Sequence, residues 1–217
     1  MTFSEENYLK TIYHLTTRLN AEVSTNAIAE MMETKASSVT DMLKKLAEKD
    51  LVNYIKYQGV SLTEKGKLSA KMIVRKHRLW EVFLVEKLDF SWDEVHDIAE
   101  QLEHIKSEQL INKLDDFLGN PTEDPHGDPI PNAKGQIITI EKQLLSELLE
   151  NQTGICVGVK DSSAEFLKYL DKQAIALGSK IQFLSKEAFD FSIKIKVDNR
   201  ELTISNKIAS NLFVKVV

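Results

Sequence analysis

The sequence predicts a mainly α-helical chain with a small β component: an N-terminal winged helix-turn-helix, a helical middle segment and a small C-terminal β-barrel. Three observations predict it. Three amphipathic stretches with tight connections precede LVNYIKYQGVSLT, an alternating run around Gln58-Gly59. A long helical pattern and two shorter ones follow. Beyond a segment that holds all four prolines, short β-rich runs replace the helical period. The expected domains are 1–73, 74–136 and 137–217.

Residues 4–18 read as the first helix, with Ser4 as cap and Leu9, Ile12, Tyr13 and Leu15 as its apolar stripe. The second runs from Thr25 to Met32, with Ile28, Met31 and Met32 inward. The third runs from Ala36 to Lys49 on Val39, Met42, Leu43 and Leu46. Residues 51–63 read as a hairpin, and Thr63 caps a helix over 64–88. Ser91 and Glu94 form a capping box for HDIAEQLEH, residues 96–104, and Ser107 opens a helix that Gly119 ends. GNPTEDPHGDPIPNAKG, with four prolines and three glycines, excludes regular structure. Strands are expected at ICVGVK, KIQFL, FSIKIKV and LFVKV, with a helix at SSAEFLKYLDKQ.

The 217 residues are 42% hydrophobic, enough to bury a core. No apolar run is long enough to span a bilayer, and the N-terminus has no basic-then-apolar signal pattern, so a cytoplasmic protein without a membrane partner is expected. The single Cys156 excludes an internal disulfide and a cysteine-rich metal site. The net charge of −5 is unevenly spread. Residues 1–79 carry 13 Lys and Arg against 9 Asp and Glu, a balance of +4; residues 80–130 carry 3 against 14, a balance of −11. A basic front beside an acidic middle points to one anionic and one cationic partner.

The helix pair and hairpin place the third helix to enter a DNA major groove. Lys35, Ser37, Ser38, Thr40 and Lys44 stand off its apolar stripe, and short hydroxyls let a helix approach base edges closely. Lys56 and Tyr57 near the hairpin tip are expected on the flanking backbone. The competing reading is a protein-interaction winged helix with solvated polar faces.

At roughly 100° per residue, His96, Glu100, Glu103 and His104 share one arc of about 100°, beside the apolar arc of Val95, Ile98, Leu102 and Ile105. Crowded carboxylates repel unless a divalent cation offsets them. The preceding helix adds His77 and Glu81 at i, i+4. The plain alternative is a solvated acidic face with a surface histidine. No H-E-x-x-H, phosphate-binding glycine loop or nucleophile motif supports an enzyme.

The order of winged helix, RKHRLWE, the E-x-x-E-H of Glu100 to His104 and the loop P-H-G-D-P-I-P, Pro125 to Pro131, resembles the diphtheria toxin repressor and manganese transport regulator family over essentially the whole chain. The resemblance implies a helical metal-binding and dimerisation domain and an SH3-like (FeoA-like) C-terminal domain. It implies one metal site at Asn7, His77, Glu100, Glu103 and His104, and a second at Glu81, His96, Asp124, His126 and Asp161. Several positions depart from relatives. Asn7 offers a neutral oxygen where aspartate or methionine is frequent, Lys10 stands where manganese-selective members carry glutamate, and Glu100 and Asp124 replace cysteines of some relatives. The resulting N/O ligand set suits Mn2+ or Fe2+, with Zn2+, Co2+ or Ni2+ able to bind in vitro.

What the resemblance implies, then, is a metal-dependent repressor of metal uptake genes. Metal would fix the reading domain so that a homodimer matches a palindromic operator in double-stranded DNA. Trp80, Phe83, Leu84, Leu110, Leu114 and Phe117 supply apolar surface for that dimer, or fill the monomer core. A metal-independent winged-helix regulator and a metal hydrolase are the alternatives.

Overall fold

The structure is a computed structural model of the 217-residue chain. It describes every residue except Asn20, Tyr57 and Thr139, and all side chains but theirs and that of Leu19. The chain forms two compact units. The first comprises Met1–His77, Glu100–Asn112 and Pro131–Gln136; the second comprises Arg78–Ala99, Lys113–Ile130 and Ile137–Val217.

The first unit opens with α1 (Phe3–Leu19), α2 (Thr25–Met31) and α3 (Ala36–Glu48). Ser24 caps α2 by accepting from the Ala27 N–H at 3.1 Å. Glu33, at φ 49°, turns the chain between α2 and α3, and the Thr34 N–H reaches back to the Ala29 carbonyl at 2.9 Å. Val39, Leu43 and Leu46 of α3 pack into a core with Leu9, Ile12, Ile28, Val52 and Val60. Burying this apolar face is what holds three short helices together. The hairpin is β1 (Val52–Ile55) and β2 (Gly59–Leu62), antiparallel with Val52 opposite Leu62 and Ile55 opposite Gly59.

Next comes α4 (Glu64–Leu88). The Thr63 hydroxyl accepts from the Gly66 N–H at 3.0 Å, the expected cap. Gly66 is dictated by close approach, since a Cβ there would stand 1.9 Å from the Leu51 carbonyl oxygen. The helices α5 (Val95–Leu102) and α6 (Glu108–Phe117) follow. Like α4, each begins in one unit and ends in the other. The expected 96–104 helix stops two residues early, so Glu103 and His104 lie in the turn after α5.

The second unit carries a six-stranded antiparallel sheet in the order β3-β8-β4-β5-β6-β7. Its strands are β3 (Gln143–Leu144), β4 (Thr153–Val159), β5 (Lys180–Lys186), β6 (Ile193–Val197), β7 (Arg200–Ile204) and β8 (Leu212–Val216). The helices α7 (Ala164–Lys172) and α8 (Asn206–Ala209) lie between strands in the chain. The core holds Leu145, Cys156, Leu167, Leu170, Ile181, Ile195 and Val214. Four of the strands fall on the four expected runs; β3 and β7 were not read from the sequence. Among the described residues no helix is long and apolar enough to cross a membrane.

Candidate metal centre and nucleic-acid interface

In the second unit three buried side chains converge. Glu81 on α4 and Asp124 and His126 on the proline loop are 2%, 5% and 6% exposed, and each brings a ligand atom within 4.8 Å of the others. The local sequence explains the convergence. Asp124 Oδ1 accepts from the His126 and Asp128 N–H groups at 2.8 and 2.9 Å, folding the loop around its own side chain. The His126 carbonyl accepts from the Val159 N–H at 2.9 Å, which seats the loop on the end of β4. Gly127, at φ +79°, makes that seat possible: a Cβ would stand 2.0 Å from the Val157 carbonyl oxygen.

The imidazole of His126 is oriented by its backbone partner. Its Nε2 lies 2.8 Å from the Trp92 carbonyl and must donate to it, which turns Nδ1 toward Glu81 Oε2 at 3.8 Å. The Trp92 indole stacks on the same ring at 6.3 Å between centroids. On the other side of Glu81, Oε1 lies 3.5 Å from Nδ1 of His96, an exposed residue. Arg78, one turn before Glu81, was not singled out in the sequence. Its guanidinium lies 3.4 Å from Asp124 Oδ2 and 3.3 Å from Asp128 Oδ2, and donates to the Pro129 carbonyl.

Two carboxylates, an imidazole and a guanidinium share this site, and each shifts the others. Burial, then the charges of Glu81 and Asp128, push the Asp124 carboxyl up to about 7 despite Arg78. Burial pulls the other way on His126, but its contact with Glu81, the charge of Asp124 and the Trp92 carbonyl raise it to about 9. Oxygen donors with one or two imidazoles suit a divalent first-row ion, which would offset both carboxylates at once. Asp161, expected beside this group, accepts from the Ser163 N–H at 2.9 Å and, among the described residues, belongs to no three-residue group of this kind. It sits two residues beyond Val159, the loop's anchor.

The first unit holds the other expected set. Glu103 is fully buried; its Oε2 lies 2.6 Å from His77 Nδ1 and 2.8 Å from Lys10 Nζ. Burial would raise the Glu103 carboxyl, yet His77 and Lys10 hold it below the ordinary value. Lys10 also reaches Glu100 Oε1 at 3.0 Å. His104 turns to Glu6, Nδ1 to Oε2 at 2.7 Å, and stacks on Phe3 at 4.5 Å. Asn7 Oδ1 and Glu103 Oε1 are buried without a hydrogen-bond partner. Among the described residues, no three of His77, Glu100, Glu103 and His104 converge as Glu81, Asp124 and His126 do.

Of the expected DNA-contacting residues, Lys35, Ser37, Ser38, Lys44 and Lys56 are exposed on the first unit. Thr40 is half-buried and its hydroxyl donates to the Ala36 carbonyl at 3.0 Å; Lys44 lies 3.4 Å from Asp41. Tyr57 lies outside the described residues. A cleft of about 410 Å³ joins the start of α3 to the hairpin, with Thr40 and Lys56 in its wall together with Thr25, Asn26 and Tyr54, which the sequence reading passed over.

Comparison with known proteins accounts for nearly the whole chain. Residues 1–60 match the iron-dependent repressor N-terminal DNA-binding domain, residues 63–132 the iron-dependent repressor metal-binding and dimerisation domain, and residues 143–216 the FeoA domain. An uncharacterised HTH-type transcriptional regulator of Methanocaldococcus jannaschii is 38% identical over 118 residues, 54% of this chain and 94% of that one. The iron-dependent repressor IdeR of Mycobacterium tuberculosis is 37% identical over 130 residues, 58% of this chain but only 54% of that protein's length. A solved manganese-dependent transcriptional repressor in complex with manganese is 35% identical, with a TM-score of 0.84, over 98% of this chain and 100% of that one.

Proposed function

The chain belongs to the diphtheria toxin repressor and manganese transport regulator family of metal-dependent repressors, and from that premise we propose that it is a transcriptional repressor switched on by Mn2+ or Fe2+ at Glu81, Asp124 and His126. The observation that carries this reading is the buried carboxylate–imidazole group in a chain that also carries a winged helix. His96 faces the same Glu81, and Asp161 follows the strand that seats the loop, so both belong to the proposed ligand set. The family is one of repressors, not enzymes.

The residues divide the work. Glu81 and Asp124 repel each other; the Arg78 guanidinium lies beside Asp124, and the protonated His126 faces Glu81. A bound divalent ion would take over the positive charge that His126 gives up with its proton. His126, held by Trp92, presents Nδ1 toward it, and the loop is then pinned between α4 and β4. Because α4 starts directly behind the hairpin, fixing Glu81 fixes the C-terminal half of the helix that supports the reading head. The ion acts only through its preference for the DNA-competent arrangement, so operator DNA must tighten ion binding by the same factor. The proposal includes a cytoplasmic homodimer with recognition helices about 34 Å apart on a palindromic operator, metal uptake genes as targets, and domains divided at 73 and 136.

The test is an anaerobic operator titration by fluorescence anisotropy with Mn2+, Fe2+, Zn2+ or chelator, on duplexes selected from a random pool with Mn2+ present. Affinity rises at least tenfold with Mn2+ or Fe2+, and His126→Ala removes the rise. Equal affinity under chelator overturns the sensor in favour of a metal-independent regulator.

A further inference from the structure

In the first unit, the cluster assigned by resemblance to an ion already contains a cation. The Lys10 side chain is 11% exposed, and its Nζ lies between Glu103 Oε2 at 2.8 Å and Glu100 Oε1 at 3.0 Å. We propose that the Lys10 ammonium is a covalently attached replacement for a metal ion at Glu100 and Glu103, so that each subunit takes one regulatory divalent ion, in the other cluster, and none here. The proposal rests on the metal-sensor reading of Glu81, Asp124 and His126.

Three features argue for it. First, geometry: a metal ligated by Glu100 and Glu103 must sit at about 2.0–2.3 Å from a carboxylate oxygen. The ammonium is already 2.8–3.0 Å from an oxygen of each, so the two cations would lie within about 5 Å of each other, repelling at the range where each is attracted. Second, the ligand set is dispersed. His104 is taken by Glu6 and the face of Phe3, and Asn7 brings no charge. Third, the work an ion would do is already done. Lys10 is on α1, and its two ion pairs tie the first helix of the reading head to α5 and the turn after it, with no ion required. The two buried oxygens without partners, Asn7 Oδ1 and Glu103 Oε1, need a hydrogen-bond donor, and a neutral water meets that need without a second positive charge beside Lys10.

The experiment counts Mn2+ bound per subunit of the full chain, by calorimetry and by elemental analysis after gel filtration. The wild type takes one, His126→Ala takes none, and Glu103→Gln still takes one. Lys10→Glu, with Lys10→Met as a second variant should the first fail to fold, takes two. Two ions in the wild type, with one lost on Glu103→Gln, overturn the Lys10 assignment and leave the sensor reading standing. A folded Lys10 variant that still takes one ion overturns it as well. No ion in the wild type overturns the assignment and the sensor reading together.

Discussion

Nε2 of His126 lies 2.8 Å from the backbone carbonyl oxygen of Trp92, and this contact decides which imidazole nitrogen faces Glu81. The orienting group is a carbonyl, so it survives a change of side chain. Trp92→Phe keeps Mn2+ affinity within about threefold, whereas Trp92→Pro, which moves the backbone, weakens it by about 10–100-fold. Calorimetric titration of Mn2+ into the full chain makes the comparison; a large loss on Trp92→Phe would assign the role to the indole instead.

Ion binding should consume alkalinity. His126 titrates near 9 and so carries a proton at neutral pH, whereas a ligating imidazole must be neutral. Asp124, near 7, is partly protonated at the same pH. Binding at pH 7.5 therefore releases at least about one proton per ion. Affinity climbs as pH rises through 7 and levels off above about 9. Calorimetry in two buffers of different ionisation enthalpy gives the count, and a value of zero contradicts the assigned ligand.

Arg78 stabilises the ion-free form more than the bound one. Arg78→Met leaves Asp124 buried without its counter-charge, at a cost of about 3 kcal/mol to the ion-free protein. An ion would replace much of what is lost. The ion-free melting temperature falls, and the rise on adding Mn2+ becomes larger than in the wild type. Equal shifts in both forms would show that Arg78 acts through packing alone.

The loop's seat depends on a missing side chain. Gly127→Ala places a Cβ 2.0 Å from the Val157 carbonyl oxygen at a backbone angle of +79°, so the loop must lift from β4. The strain of about 1–3 kcal/mol is expected to appear as lowered thermal stability, and Mn2+ affinity falls at least tenfold. An unchanged Mn2+ affinity would mean that the loop is not set by this contact.

Lys35 and Lys56 are predicted to act as phosphate contacts. Each Lys→Ala change weakens binding evenly across operator variants and reduces the salt dependence by about one ion. A change in base preference at one operator position would make either residue a base reader.

Much of this was legible because periodicity and capping act locally. Residues 64–88 were bounded correctly by Thr63 and the apolar period, and Val39, Leu43 and Leu46 faced inward as their spacing required. β7 escaped because the alternation of RELTI, from Glu201 to Ile204, is only four residues long; its further clue was the two-residue turn Asp198-Asn199, with Asp198 at φ 52°. The early end of α5 escaped because Glu103 and His104 continue the helical spacing although the chain has already turned. The two clusters could be grouped only by family likeness. Lys10 is 93 residues from Glu103, and no local pattern reports that an ammonium and a carboxylate will be buried together.

The buried thiol of Cys156 has a bearing on oxidative stress. It is 2% exposed, and burial raises it above the ordinary thiol range, so it is neutral and out of reach of peroxide. The proposed ion ligands are carboxylates and imidazoles, which mild thiol oxidants leave intact. A regulator built this way has no thiolate ligand to lose when oxidants accumulate, whereas a thiolate-ligated sensor would lose its ligand.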